Sequence, residues 1–372
     1  MKRLCVGVLL MIGLFLAACG NNSQQTTPVT VDARPAENFV DFVVDYAFIA
    51  GLIPMAACED YLWAAEFRTG NLINSNNHGE DWQSVYAFAM PIQAVHVDDA
   101  RNIFVSVAED RWAEIGTNQL FRSEDGGESW EKVLNVQSGA VIWWNIASQN
   151  GTMFVSEYGY KGYGDNARRI YHSTDFGKNW EVVFDPGRQI DHHNHKLIIA
   201  PDGVVYQAIG DGQNARIIRS QDLGDSWKTV IYGFLPTSAI AFESHILWGL
   251  DGGPWMGIAH HNRQTGEFNV SLNIEPKFYG PAYDMIYAHG VVYAIFLSYQ
   301  GYYRPASIFY STNQGDSWQL LGYIDKLPQY GVGMYQIIHD GRYAYIDFGA
   351  PLYRNGYGEL FRGTLRFELL IP

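Results

Sequence analysis

The stretch Ser173-Thr174-Asp175-Phe176-Gly177-Lys178-Asn179-Trp180 decides the fold, because its skeleton Ser-x-Asp-x-Gly-x-x-Trp returns along the chain. It recurs at Ser123-x-Asp125-x-Gly127-x-x-Trp130 and at Ser220-x-Asp222-x-Gly224-x-x-Trp227. Asn replaces Asp at Ser75-x-Asn77-x-Gly79-x-x-Trp82 and at Ser311-x-Asn313-x-Gly315-x-x-Trp318, and a decayed copy spans Asn262 to Phe268. Successive starts lie 48, 50 and 47 residues apart, and the 91 residues between Ser220 and Ser311 hold two periods. A fixed period near 48 marks a repeat architecture. Within each copy, Asp or Asn bonds the backbone of its own turn, Gly supplies a positive φ, and Trp opens the next strand and packs inward. Each copy therefore reads as the hairpin between the third and fourth strands of one unit. A side chain that recurs by repeat logic serves the scaffold, so these Asp residues read as structural rather than catalytic.

Two further strands precede each hairpin, such as Val95-His96-Val97 with Ile103-Phe104-Val105, and Leu197-Ile198-Ile199 with Val204-Val205-Tyr206 across Pro201-Asp202-Gly203. After the last copy, Met334 to Ile338 and Arg342 to Phe348 repeat the pair, and Glu359 to Leu370 has room for two more strands. Residues 37–372 divide into seven periods of 48. The expected fold is an all-β, seven-bladed β-propeller of four-stranded antiparallel blades, with six blades as the alternative. The segment Asn38 to Phe42 is expected to close the ring against the last blade. The octapeptide resembles the Asp-box, or bacterial neuraminidase repeat, of sialidase-like propellers, and the resemblance covers nearly all of residues 37–372.

Ahead of the repeats, Lys2-Arg3, an apolar run from Leu4 to Leu16 and the small residues Ala17-Ala18 make a secretory leader. The run is shorter than the roughly 20 residues that a spanning helix needs. Leu16-Ala17-Ala18-Cys19 resembles the lipobox of bacterial lipoproteins, in which the Cys takes lipid and becomes the N-terminus. Residues 1–18 are thus expected to leave, and 19–36, rich in Asn, Gln, Thr and Pro, to form a flexible tether. Gly20, not being Asp, implies outer-membrane sorting in a two-membrane cell. The expected location is the cell envelope, extracytoplasmic and lipid-anchored through Cys19. Of three cysteines only Cys58 is expected to remain available in the mature chain, so the core is expected to carry its stability.

The formal net charge is −14, and loss of Lys2 and Arg3 makes it −16. Such a surface repels phosphate backbones, which excludes nucleic acid as a partner. A monomer is expected, without cofactor or resident metal.

In a propeller the box hairpins share one end, and the loops joining second to third strands share the other. Those loops carry Trp112, Tyr158, Tyr160, Tyr163, Trp255, Tyr299, Tyr302, Tyr303, Tyr353 and Tyr357. Amphipathic rings stack on sugar faces or anchor protein partners at low entropic cost. Arg68, Arg111, Arg168, Arg216, Arg304 and Arg354 lie in or beside the same loops, and a guanidinium can clamp a carboxylate. Asp191-His192-His193-Asn194-His195 opens the fourth blade's inner strand. A His-x-His pair there can supply an acid/base, or a metal ligand for which the sequence fixes no third partner. Trp144, Asn145 and Glu157 of the third blade and Gln207 and Asp211 of the fourth are expected nearby, with Tyr283 and Asp284 reaching the channel from the sixth. The candidate catalytic set is His193, His195, Tyr158 and Arg304. The candidate ligand-binding set is Trp112, Trp144, Asn145, Glu157, Asp211, Arg216, Trp255, Tyr283, Tyr299, Tyr303 and Arg354.

The resemblance implies a carbohydrate-related face. Sialidases have six blades and an Arg-Ile-Pro motif before the first box; Arg34-Pro35 and Arg304-Pro305 lack the Ile. A true sialidase is therefore disfavoured. The His, Tyr and Arg set is loosely similar to that of seven-bladed polysaccharide lyases. The expectation is a protein that binds a glycan and, if an enzyme, cleaves it as a glycosidase or polysaccharide lyase; the alternative is a non-catalytic protein-binding propeller resembling the Asp-box assembly factors of photosynthetic membranes.

Overall fold

The computed structural model describes residues 47–58, 61–66, 68–109, 118–136, 140–143, 145–158, 168–187, 194–210, 214–252, 257–273, 281–296, 306–324, 333–351 and 359–369. These form 28 strands in seven antiparallel four-stranded sheets, so the seven-bladed propeller is what the chain builds. Blades one to six run consecutively through residues 52–87, 92–135, 146–184, 194–232, 235–273 and 282–324. The seventh takes three strands from residues 333–368 and its outermost strand, Ala47–Ala50, from the other end of the chain.

That last point corrects two expectations. Glu359–Glu368 is one long strand rather than two, and the closing strand is Ala47–Ala50, paired with Gly363 to Arg366, rather than Asn38 to Phe42. Residues 38–42 lie outside the described residues. The short apolar run Ala47-Phe48-Ile49-Ala50 suits a closing strand, and Thr364 Oγ1 ties the last blade to the first by donating to the Leu52 carbonyl, 2.9 Å away. Closure leaves no blade without a neighbour on either face.

The boxes explain why each hairpin forms. In all five, the Gly N–H donates to the Ser Oγ at 2.8–3.0 Å, and the Ser hydroxyl donates to the Asp or Asn Oδ1 at 2.8–2.9 Å. The same Oδ1 accepts the N–H four residues on, at 2.9 Å. The turn needs two successive left-handed residues, as at Phe176 (φ 59°) and Gly177 (φ 72°). In the decayed copy, Asn262 Oδ1 still accepts the Gln264 and Thr265 amides. The bonds pull the carboxylates of Asp125, Asp175 and Asp222 down to about 2.

The second Gly also presses on the preceding blade. A Cβ on Gly177 would lie 2.4 Å from Phe104, on Gly127 2.5 Å from Val85, and on Gly315 2.6 Å from Leu247. The box Trp rings wedge beside these contacts. Trp318 is 5% exposed, whereas Trp130, Trp180 and Trp227 are half-buried, so the inward packing expected from sequence is complete only in blade six. Between the blades lie apolar layers, such as Phe154, Ile170, Leu197, Val205, Ile209 and Ile218 between blades three and four. Cys58 is disulfide-bonded in the full-length chain, whereas the expectation of a lone Cys58 concerns the mature chain; Cys5 and Cys19 lie outside the described residues.

Candidate functional site

Among the described residues, the end opposite the boxes is built most completely at blades three and four. Tyr158 follows blade three's second strand, and its backbone pairs with Val141 in both directions, at 2.7 and 2.8 Å. This isolated bridge fixes a ring platform. Tyr158 meets Trp143 edge-to-face at 5.5 Å and His195 edge-to-face at 6.1 Å. Tyr158 is 7% exposed and His195 4%, while Trp143 is half-buried and keeps a solvent-facing part. Ala108 and Val141 back the group from below.

Beneath the rings lies a polar layer. Glu157 is fully buried, and its carboxylate accepts the Tyr171 hydroxyl at 2.7 Å and the Arg169 N–H at 2.9 Å. Burial, then the Glu157 charge, pushes the Tyr171 phenol well above its ordinary value, so it stays a donor. Arg169 bonds Asp185 at 2.8 Å, which ties the loop end to the outer strand. Asn145 Nδ2 donates to the Asn194 carbonyl at 3.3 Å, joining blade three to blade four. Gln207 Nε2 fills the bulge of blade four's inner strand, donating to the His195 carbonyl at 3.0 Å.

Along the axis, three inner strands bring titratable groups together. His96 of blade two bonds Ser148 of blade three at 2.7 Å, and burial, aided by the Lys196 charge of blade four, lowers it to about 4. Asp284 of blade six accepts the Ile337 N–H at 3.0 Å, and burial raises its carboxyl despite the same Lys196 charge. Among the described residues, the Lys196 charge thus acts on both an imidazole and a carboxyl group whose charged forms burial disfavours.

Of the residues named from sequence, Asn145, Glu157, Tyr158 and His195 come together here, and Asp284 lies in blade six's inner strand. Asn145 and Glu157 have no exposed surface, so their described role is to position others rather than to touch a ligand. Arg216 and Tyr283 are half-buried, in blades four and six. Cys19, Trp112, Trp144, His193, Asp211, Trp255, Tyr299, Tyr303, Arg304 and Arg354 lie outside the described residues. Sequence reasoning passed over His96, Ser148, Lys196, Tyr171 and Trp143, having named the neighbouring Trp144 in place of the last. The first three did leave a signal, as polar residues within inner-strand segments. No group of three or more His, Cys, Asp or Glu side chains among the described residues is placed to hold a metal.

A sequence model of the BNR-Asp box repeat matches residues 170–183, the blade-three hairpin. The chain carries BNR-Asp box repeats. A xyloglucanase of a Paenibacillus species is 25% identical over 183 residues, covering 43% of this chain and 17% of that protein. The match therefore spans less than a fifth of that relative's length. Among solved structures, the glycoside hydrolase family 74 xyloglucanase of Xanthomonas campestris superposes with a TM-score of 0.57 at 13% identity, covering 82% of this chain and 53% of that one. YCF48 bound to D1 peptide superposes with a TM-score of 0.57 at 15% identity, covering 92% of this chain and 99% of that one. At these identities the two structures share the fold of this BNR-Asp box propeller and show nothing further.

Proposed function

We propose that the protein binds a glycan chain at the loop end of its propeller, with Trp143, Tyr158 and His195 forming the fixed part of the binding face. The observation that carries this reading is the ring platform itself. Three rings from two blades meet edge-to-face, anchored by the Tyr158–Val141 bridge, and one of them keeps exposed surface. A rigid aromatic platform loses little entropy when a sugar face stacks on it. The sequence similarity to a xyloglucanase supports a β-glucan-like ligand. Trp112, Trp255, Tyr299, Tyr303, Arg304 and Arg354 fall in sequence between the second and third strands of their blades, outside the described residues, and on this reading would extend the face.

Binding rather than cleavage is the reading the described carboxylates favour. Glu157 is sealed under the platform, and Asp284 sits on the channel wall, so neither faces a glycosidic bond beside the rings. Catalysis would need His193 or Arg304 from the loops. One observation favours a second reading: the likeness to YCF48 covers nearly the whole of both chains, and that protein was solved with a bound peptide. On that reading the same rings would hold a peptide.

We further propose that residues 1–18 are a leader and that Cys19 carries lipid, holding the propeller outside the cytoplasm on a tether of residues 19–36; with Cys5 removed and the Cys19 thiol lipidated, the mature protein would lack the Cys58 disulfide of the full-length chain. A glycan array probed with the purified protein tests the main reading. Selective binding of β-glucan oligosaccharides is expected; an array without signal, alongside binding to peptides, would replace it by the second.

A further inference from the structure

The interface between blades three and four changes character along its height. At mid-height it is the apolar layer of Phe154, Ile170, Leu197 and Val205. At the loop end it is polar. Asn145 and Ser156 of blade three and Asn194 and Gln207 of blade four are all fully buried. Ser156 lies opposite Ile170 in register and gives its N–H to the Asn145 carbonyl, so these residues share the face that meets blade four. Gln207 shares the facing side with Val205 and Ile209, and Asn145 Nδ2 already crosses the gap to the Asn194 carbonyl.

The hydrogen bonds fix which way each carboxamide points. Asn194 Nδ2 donates to the Arg168 and Arg169 carbonyls at 3.0 and 3.3 Å. Gln207 Nε2 donates to the His195 and Ala208 carbonyls at 3.0 and 2.7 Å. Turning any of the three amides over would set carbonyl against carbonyl. Their oxygens are therefore committed to the other side. In this interface layer Asn145 Oδ1, Asn194 Oδ1, Gln207 Oε1 and Ser156 Oγ are each buried without a hydrogen-bond partner among the described residues. Buried polar atoms left this way are expensive, and such a group in a folded protein calls for an unseen partner.

We propose that this interface binds a monovalent alkali cation, Na+ or K+, through those four oxygens. One water has only two protons to give, too few for three committed carbonyl oxygens, whereas a cation serves all of them at once. Calcium and magnesium sites draw on carboxylates. The carboxylate closest in sequence, Glu157, lies on the opposite face of its strand, occupied by Tyr171 and the Arg169 amide. The donor set is neutral, which suits a singly charged ion that sheds its water readily. An ion here would set the spacing of blades three and four directly beside Tyr158 and His195. The inference does not depend on what the propeller binds.

The test is thermal unfolding of the whole protein in sodium, potassium or tetramethylammonium chloride at equal ionic strength. The midpoint is expected to climb with the logarithm of Na+ or K+ concentration and to stay flat in tetramethylammonium. Asn145→Asp supplies a second reading. In a cation site the added carboxylate shifts preference to Ca2+, which should then raise the midpoint at a concentration at least tenfold lower than in the parent. In a site holding only water, the variant is destabilised and no cation restores it. Equal midpoints in all three salts would overturn the proposal. So would parent protein responding to Ca2+ at lower concentration than to Na+ or K+. An anomalous peak between the blades in crystals soaked with thallium(I) is expected, and its absence at that position would also overturn the proposal.

Discussion

Two adjacent glycines of one box separate the turn's conformational demand from its contact with the neighbouring blade. Gly126 and Gly127 both have positive φ, 75° and 97°. A Cβ on Gly126 meets nothing within 4 Å, whereas one on Gly127 would lie 2.5 Å from Val85 Cγ1 of blade one. At the position of Gly126 the other boxes carry His78, Phe176, Leu223 and Gln314, so a side chain is compatible with that turn. Gly126→Ala should thus cost only the left-handed penalty, about 1–2 kcal/mol. Gly127→Ala adds overpacking of the blade-one face, about 1–3 kcal/mol more, for a total of about 2–5 kcal/mol. Urea unfolding followed by tryptophan fluorescence gives both values from the midpoints. Equal losses for the two variants would refute the claim that the second glycine is required by blade packing.

Trp318→Ala, which empties a buried wedge between blades five and six, should cost about 3–5 kcal/mol, and Trp180→Ala, whose ring is half-buried, distinctly less; the same urea assay compares them. Burial, then the His260 charge, holds His245 down to about 4, and burial takes His261 to about 3, against an ordinary value of 6.5. A depressed imidazole is neutral in the fold while the unfolded chain takes up protons first. Stability is therefore full above about pH 6.5 and falls as pH drops towards 4, by about 3 kcal/mol for His245 at the limit; His245→Phe should flatten this fall in a pH series of thermal midpoints. The box carboxylates, held to about 2, give a separate loss only below about pH 3.8. Cys19→Ala should move the protein from the membrane to the soluble fraction and abolish metabolic labelling with a fatty acid; labelled variant protein would contradict the anchoring proposal.

The repeat made the fold legible because each box writes its own hairpin into eight residues, through bonds that span at most four positions. Ring closure was harder to read. Ala47–Ala50 pairs with residues more than three hundred positions away, and nothing local marks that partner. The site was legible in part. Asn145, Glu157, Tyr158 and His195 do gather at the loop end of blades three and four, because that end follows from blade topology. Their burial did not follow, since it depends on how Tyr171 and Asn194 pack across strands and blades. Lys196 and His96 approach one another only through the ring, from blades far apart in sequence.

The central claim is that the ring platform binds glycan, and calorimetric titration with xyloglucan oligosaccharides tests it most directly. The parent protein should bind saturably, and Trp143→Ala should weaken binding by about 1–3 kcal/mol, roughly five- to 150-fold, while remaining folded, with a smaller loss of melting midpoint than Trp318→Ala. Absence of binding to the parent, or the same affinity in Trp143→Ala, would contradict the account.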